Sequence, residues 1–379
     1  MTISLLFPML ALVGLAISAA SVPFLRRVAL NTGLVDDPAS GDYKTHAQPT
    51  PYGGGIAIAL GVLIPAIATL WWIVTVRPYL MWEGGRLLNP WSSHILFPLE
   101  PLSPTILQLS QTISLLLAAT VIFALGLADD WRRLPAGLRL AVQVVAATFL
   151  VAAVPGFRPH ITGLMVFDSI AAIVWLVAMT NAFNFLDNMN GLSAGVGAIS
   201  IAALASMALA CAHLPAAGVG LLIVGAAGGF LLYNFPQASI FMGDAGGLFI
   251  GFIGGALALL VTGRVQDLSD VASEGLVAWL PVCCLIVAIY DLSSVVLLRL
   301  MRRVPPWRGD TNHISHRLVA LGLRRTDAVL VIYLTTSATA TAAVVAFSRP
   351  QWALWSILCL ILFIAGTAIA DVRQIRRSA

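Results

Sequence analysis

The stretch VFDSIAAIVWLVAMTNAFNFLDNMNGLSAGVGAISIAALASMALACAH, residues 166–213, decides the fold class of this chain. Two apolar runs, 166–183 and 193–213, each come close to the ~20 residues that an α-helix needs to cross the ~30 Å hydrocarbon core of a bilayer. The segment between them carries a cluster of amide and carboxylate side chains: Asn181, Asn184, Asp187, Asn188 and Asn190. The pattern predicts two membrane-spanning helices joined by a loop rich in oxygen ligands.

The rest of the chain repeats this pattern. Of its 379 residues, 59% are hydrophobic and 10% are charged, whereas about 25% are charged in soluble domains. The mean hydropathy of +0.93 means that lipid must be the solvent, and the net charge of +4 does not indicate nucleic-acid binding. We predict an all-α polytopic membrane protein with a single domain over residues 1–379. Its eleven spans, with ten as the alternative, are 3–25, 53–76, 105–127, 138–155, 166–183, 193–213, 216–234, 244–262, 276–299, 326–346 and 351–370.

The positive charges predict the direction of insertion. The first 25 residues are apolar and are followed, not preceded, by Arg26 and Arg27, which is the reverse of a secretory signal. With the N-terminus outside, all but five of the 21 Lys and Arg residues lie on the inner side, as the positive-inside rule requires. Two spans separate each polar loop from the next, so all the polar loops share the cytoplasmic face. They are loop A (33–55), loop B (127–143), loop C (181–195), loop D (234–247) and loop E (302–318).

Loops B and D carry carboxylates at the ends of spans. Asp129 and Asp130 in loop B indicate either a metal- or proton-binding pair or a solvated span end beside balancing arginines. Asp244 in the FMGDAGG segment of loop D is either a helix N-cap or a metal ligand. The glycines beside it let a phosphate approach a helix N-terminus. Together with the oxygens of loop C, Asp244 predicts a site for Mg²⁺ and a diphosphate.

Loop E carries two histidines. His313 and His316 are spaced so that they share one face of a helix, next to Arg317. Such donors fit a pyrophosphate, whereas zinc needs more ligands than the sequence offers nearby. Ordinary interfacial histidines are the remaining alternative. Asp291 lies within the span 276–299, and we expect it to pair with an arginine or a polar backbone group rather than to do chemistry.

Taken in order, the five loops resemble the motifs of the polyprenyl-phosphate N-acetylhexosamine-1-phosphate transferases. The motifs are GLVDDP and PTPYGGG in loop A, LADDWRR in loop B, NAFNFLDNMNGL in loop C, NFPQASIFMGDAGG in loop D and HISHRL in loop E. Loop C departs from the family's frequent DGxDGL, and Arg139 stands where a lysine is common. Loop E reads HISH instead of the triple histidine of the muramoyl-pentapeptide branch, which favours the branch that uses UDP-N-acetylglucosamine or a related sugar.

The resemblance implies a reaction in the bacterial inner (cytoplasmic) membrane, with the active site facing the cytoplasm. A UDP-N-acetylhexosamine would donate its sugar-1-phosphate to undecaprenyl phosphate and release UMP. The implied metal is Mg²⁺, with Mn²⁺ as an alternative, held by Asn184 and Asp244. The catalytic residues would be Asp129, Asp130 and Asp187, and the substrate-binding residues Lys44, His46, Asn190, His313, His316 and Arg317. Partners are the sugar nucleotide and membrane lipid but no nucleic acid, and a homodimer is left open.

Three alternatives stay open on the sequence. One is an enzyme like the phospho-N-acetylmuramoyl-pentapeptide transferases, and another is a membrane transporter of an anionic substrate. Against the transporter, the spans show no internal repeat, and the polar residues cluster on one face instead of at the midplane. The third is an inactive scaffold, which the departures at Asn188 and Asn190 leave open.

We predict that cysteines placed in loops A and E, as Thr45→Cys and Thr311→Cys, stay unlabelled by a membrane-impermeant maleimide in intact cells. They should react once the cells are permeabilised, because the charge distribution puts both loops inside. A Ser92→Cys variant in the outer loop 77–104 is the positive control. The parent protein shows how much label reacts with its four native cysteines. Labelling of position 45 or 311 from outside would contradict the orientation.

Overall fold

The computed structural model describes residues 3–36, 49–72, 106–268, 277, 279–305, 312–352, 354, 355 and 358. Almost all of them are helical. The helices are α1 (Ile3–Thr32), α2 (Gly54–Trp71), α3 (Ile106–Arg132), α4 (Ala136–Ala153), α5 (Met165–Leu186), α6 (Leu192–Ala210), α7 (Leu214–Asn234), α8 (Gly243–Leu268), α9 (Leu280–Cys283), α10 (Ile286–Met301), α11 (Ile314–Ala320) and α12 (Arg325–Ser348), followed by a 3₁₀ turn at Pro350–Trp352. Two short strands, β1 (Val35–Asp36) and β2 (Thr50–Pro51), complete the set.

Nine helices in the described residues are long and apolar enough to cross a membrane. They coincide with nine of the predicted spans, so the prediction of an all-α polytopic membrane protein is confirmed. The predicted span 276–299 is instead divided between α9 and α10. Leu285 leaves the helical region of φ and ψ (−101° and 10°) between them. The predicted span 351–370 lies mostly outside the described residues, as do Lys44, His46 and the loop 77–104.

Helix α8 forms the centre of the bundle. Its entire apolar window is buried, and it packs against α2, α3, α5 and α6. A helix that is apolar all round belongs in the interior, and small residues allow neighbouring helices to approach it closely. An ideal Cβ at Gly251 would lie 2.4 Å from the carbonyl oxygen of Met179 on α5. The position of Asp244, at the start of α8, is therefore set by the core of the bundle.

The two strands of loop A pair with each other, and the second strand also bonds to loop D. Strands β1 and β2 pair antiparallel, with Val35 opposite Pro51 and Asp36 opposite Thr50. Beyond β2 the chain meets loop D, where Phe241 donates its amide to the Pro51 carbonyl at 2.8 Å. The start of α2 and the start of α8 are thus fixed side by side at the same end of the bundle.

Candidate active site

A cavity of about 1240 Å³ lies at this end of the bundle and is lined by residues from all five polar loops. The prediction that the loops share one face is therefore confirmed by the geometry. Eight of the eleven residues to which the resemblance assigned a role in the site line the cavity: Asp129, Asp130, Asn184, Asp187, Asn190, Asp244, His313 and His316. Lys44 and His46, which were expected to add positive potential, lie outside the described residues.

The carboxylate of Asp130 binds the N-terminus of α8. Its Oδ1 accepts the amide of Asp244 at 2.7 Å, and its Oδ2 accepts the amide of Ala245 at 3.1 Å. The first amides of a helix have no partner within the helix, and the helix dipole favours a negative charge there. Asp130, at the end of α3, therefore positions α8 and aims the side chain of Asp244 at the cavity.

Two glycines make this contact sterically feasible. Gly243 has a φ of +75°, a conformation that favours glycine, and its Cβ would lie 2.5 Å from Asp130 Oδ2. On the other side of the contact, a Cβ at Gly126 would lie 2.6 Å from the Asp244 carbonyl oxygen. Gly243 of the FMGDAGG motif and Gly126 of α3 thus permit the close approach of α3 to α8, a role that the sequence analysis did not assign to either glycine.

Arg139 links Asp129, the other aspartate of loop B, to loop D. Its Nη1 lies 2.5 Å from Asp129 Oδ2 and 3.2 Å from Asp244 Oδ2. The buried Asp129 also accepts the Leu134 amide at 2.6 Å through its other oxygen. One guanidinium therefore balances two carboxylates, and Asp129 holds Arg139 beside Asp244.

Asn184 and Asp244 form the pair that could hold a divalent cation. The Asn184 amide nitrogen donates to Asp244 Oδ1 at 2.8 Å, and the Asp244 side chain is 33% exposed, open to the cavity. A flip of the carboxamide would present its oxygen to a cation bound by Asp244. No cluster of three or more His, Cys, Asp or Glu suited to a metal occurs among the described residues. Two oxygen ligands fit Mg²⁺, which takes few protein ligands and completes its shell with water and phosphate.

Asp187 ends α5 and lies half-buried in the cavity wall. Burial, together with the nearby carboxylate of Asp130, raises the pKa of Asp187 to about 7. The carboxyl group is therefore divided between its neutral and ionised forms near neutral pH, and a cation bound nearby would favour the ionised form.

The asparagines of loop C fix the backbone of the loop. The Asn190 amide donates to the Pro236 carbonyl at 3.1 Å, and Asn234 Oδ1 accepts the Gly191 amide at 2.5 Å. Asn188 donates to the Phe185 carbonyl at 2.9 Å. The first two bonds join loop C to loop D, and the third lies within loop C, so these amides stabilise the cavity wall.

The histidine motif is anchored by a buried carboxylate. His313 Nδ1 lies 2.8 Å from Asp291 Oδ2, and the Ile314 amide donates to Asp291 Oδ1 at 2.7 Å. The expectation that Asp291 pairs with a polar backbone group is met, although its side-chain partner is a histidine, not an arginine. The rings of His313 and His316 lie 6.4 Å apart and both line the cavity. Asp291 thus orients His313, as a carboxylate does for imidazoles in many sites.

Arg317, expected from the sequence to bind pyrophosphate, is not among the residues that line the cavity. Its Nη2 donates to Ser294 Oγ at 2.9 Å, and its guanidinium carbon lies 5.7 Å from the ring centroid of Tyr290. It holds α11 on α10. The arginine that lines the cavity from this side is Arg299, positioned 5.2 Å from the Phe185 ring centroid. The sequence analysis missed Arg299 because it is the last residue of the predicted span 276–299 and belongs to no motif.

Tyr52 is a second residue that the sequence analysis missed. Its hydroxyl donates to Asp36 Oδ1 at 2.7 Å, and both residues line the cavity. Burial and this hydrogen bond raise the pKa of Tyr52. It therefore stays protonated. The only available signal was its place in PTPYGGG, directly before a helix start.

The sequence that forms this cavity is similar to sequences of known proteins. Residues 112–262 match the sequence model of Glycosyl transferase family 4. The decaprenyl-phosphate N-acetylglucosaminephosphotransferase of Mycolicibacterium smegmatis is 30% identical over 96% of this chain and 89% of its own length. The chain belongs to glycosyl transferase family 4. The expected family is thus confirmed.

Two further relatives differ in how much of the chain they match. A probable undecaprenyl-phosphate N-acetylglucosaminyl 1-phosphate transferase of Bacillus subtilis is 29% identical over 90% of this chain and 85% of its own length. A phospho-N-acetylmuramoyl-pentapeptide-transferase of Lactiplantibacillus plantarum is 31% identical over 51% of this chain and 59% of its own. These names describe transferases and give the transporter interpretation no support.

We predict that Asp130→Asn lowers the thermal unfolding midpoint of the detergent-solubilised protein. The Asn carboxamide has only one oxygen, so its NH₂ group would face one of the two backbone N–H groups that donate to Asp130 in the parent protein. One hydrogen bond to a carboxylate would be lost, and such bonds contribute about 1–3 kcal/mol to stability. The matched control is Asp327→Asn, which changes a half-exposed aspartate in the first turn of α12 and should leave the midpoint nearly unchanged. Equal midpoints for the two variants would contradict the capping role.

Proposed function

We propose that this chain transfers N-acetylhexosamine-1-phosphate, most specifically N-acetylglucosamine-1-phosphate, from a UDP-sugar to undecaprenyl phosphate. The reaction releases UMP and forms the first membrane step of cell-envelope polysaccharide synthesis. The observation that carries this proposal is a single cavity at the end of a membrane bundle that joins the Asn184–Asp244 pair to several arginines. The relatives' names, which specify N-acetylglucosamine and a polyprenyl phosphate, support the same choice of sugar and acceptor.

The chemistry is an in-line displacement at phosphorus. An oxygen of the lipid phosphate forms a bond to the β-phosphorus of the sugar nucleotide. The bond from that phosphorus to the oxygen bridging the two phosphates breaks, and this oxygen leaves with UMP. A lipid phosphate is already mostly ionised near neutral pH, so positioning and charge balance matter more than removal of a proton.

The cavity is suited to balance the charge of a diphosphate. Its lining includes five arginines: Arg132, Arg133, Arg139, Arg299 and Arg325. Guanidinium groups bind phosphate oxygens in pairs, which fixes orientation as well as charge. Because the lipid acceptor is also an anion, the arginines offset the repulsion between two phosphate groups brought to one place.

Mg²⁺, or Mn²⁺ in its place, would be held by Asn184 and Asp244. When bound, it supplies a positive charge that neutralises and orients the diphosphate. Asp130 keeps Asp244 directed at the cavity through the α8 amides, and Asp129 keeps Arg139 beside it. We therefore assign positioning roles to Asp129 and Asp130, which the resemblance implied as catalytic residues.

The remaining cavity residues are suited to bind the UDP-sugar. His313 and His316 present imidazole groups to the cavity from α11, with His313 oriented by Asp291. The N–H groups of these imidazoles can donate hydrogen bonds to the phosphate oxygens of the nucleotide. Asp187, whose pKa is raised to about 7, and Asn190 also line the cavity. The site would face the cytoplasm of a bacterial inner membrane, where sugar nucleotides are made.

The proposed function is tested by measuring UMP release from UDP-N-acetylglucosamine by purified protein with undecaprenyl phosphate. We expect turnover with Mg²⁺, loss of turnover with EDTA, and recovery when Mg²⁺ is restored. Asp244→Ala should lower turnover by a factor on the order of 10³ while the protein remains folded, because a metal ligand is lost. Asp267→Ala, an exposed aspartate at the opposite end of α8, is the matched control. Full UMP release by a folded Asp244→Ala protein would refute the metal assignment.

We predict that His316→Ala lowers kcat/KM for the UDP-sugar by a factor on the order of 10²–10³. A donor to phosphate oxygens in a partly dry site contributes about 2–4 kcal/mol to transition-state stabilisation. The measurement is turnover across a magnesium titration, with the Asn184–Asp244 pair left intact. If excess magnesium restored full activity, His316 would be a metal ligand and its phosphate role would be wrong.

A further inference from the structure

One hydrogen bond joins the histidine motif of loop E to loop C. Ser315, fully buried on α11, donates from its hydroxyl to Asn188 Oδ1 at 2.5 Å. The amide nitrogen of Asn188 donates to the Phe185 carbonyl at 2.9 Å. A carbonyl accepts only from the NH₂ end of a carboxamide, so this second bond fixes which way Asn188 points. Its oxygen must then face Ser315, and the serine hydroxyl is the donor.

The two partners belong to two segments that line the cavity, loop C and the histidine motif of loop E. Asn188 lines the cavity and follows Asn184, the proposed metal ligand, by four residues. Ser315 lies between His313 and His316 in sequence, and both of these histidines also line the cavity. The bond therefore connects the loop that carries Asn184 to the helix that carries the phosphate donors.

Helix α11 depends on such contacts for its position. It has seven residues, and helices this short are not stable in isolation. Asp291 and Ser294 bind its His313 and Arg317 side chains, which fixes α11 to α10. An edge-to-face contact between the Phe185 and His313 rings, at 6.3 Å, also meets loop C but is less directional. The Asn188–Ser315 bond adds a directional contact between α11 and loop C.

We propose that Asn188 and Ser315 are a pair of positioning residues for the nucleoside-diphosphate sugar. Their bond sets the separation between the histidine donors and the Asn184–Asp244 pair. Asn188 has both ends of its amide engaged by the protein, and Ser315 is buried, so the pair acts through its neighbours and not by contact with the substrate. This inference rests on the proposed function and deepens it, because it gives loop C's Asn188 a reason to be an asparagine.

A double-mutant cycle tests the pair. We expect Ser315→Ala and Asn188→Ala each to lower kcat/KM for the UDP-sugar by about 10- to 100-fold, since displacing a group by about 1 Å costs this much. The double variant should fall within about threefold of the worse single variant, because both changes break the same bond. The loss should appear as a raised KM for the UDP-sugar, while the magnesium concentration for half-maximal activity stays unchanged.

The matched control is Ser193→Ala. Ser193 is equally buried and its hydroxyl donates to the Phe183 carbonyl at 2.7 Å, but it does not connect α11 to loop C. This control should keep kcat/KM within about twofold of the parent protein. If Ser315→Ala does not fold, Ser315→Cys replaces it, because it keeps nearly the same volume and offers a weaker donor. The same pattern with a smaller loss is then expected.

UDP affinity, measured by calorimetry without lipid acceptor, separates this inference from the proposed function. If the parent protein binds UDP but releases no UMP, the proposed reaction fails while the cycle can still be run on UDP affinity. Non-additive losses of UDP affinity would then support the pair. Independent, multiplicative losses in the two single variants, or a Ser315→Ala protein with unchanged kcat/KM and UDP affinity, would overturn it.

Discussion

The rest of the site depends on the bond between the Asp130 carboxylate and the first amides of α8. A helix N-terminus buried at a membrane border needs a partner for its amides, and a carboxylate supplies both the hydrogen bonds and the opposite charge. This bond ties loop B to loop D and fixes the direction of Asp244. Because α8 is buried along its apolar length, its packing in the bundle fixes the position of Asp244, which therefore does not depend on one loop alone.

Charge balance is the second constraint on the cavity. Carboxylates crowded at a low-dielectric border repel one another unless cations lie between them. Arg139 meets this requirement for Asp129 and Asp244 with a single guanidinium. The same arrangement suits a reaction that brings two phosphate groups together, because the cavity holds both the anionic residues that bind a cation and the arginines that bind anions.

The sequence predicted where the site lies more accurately than it predicted the role of each residue in the site. Asp129, Asp130 and Asp244 were recognised as chemically important, and all three line one cavity. Their partners could not be predicted, because a hydrogen bond between residues 114 positions apart leaves no local pattern. Arg317 was assigned to the site because it lies beside His316 in the HISHRL motif. On a seven-residue helix, adjacent side chains point in different directions, and Arg317 faces Ser294 and Tyr290 instead.

By itself, the sequence determined the membrane-spanning helices and the gathering of the five polar loops on one face. Both follow from local hydropathy and from counting spans, which do not depend on how the helices pack. Only the tertiary structure decided that Asp130 caps α8, that Arg139 bridges two carboxylates and that Ser315 binds Asn188. These are contacts between residues far apart in sequence. Their geometry depends on how closely helices approach one another, which glycines such as Gly126 and Gly243 permit.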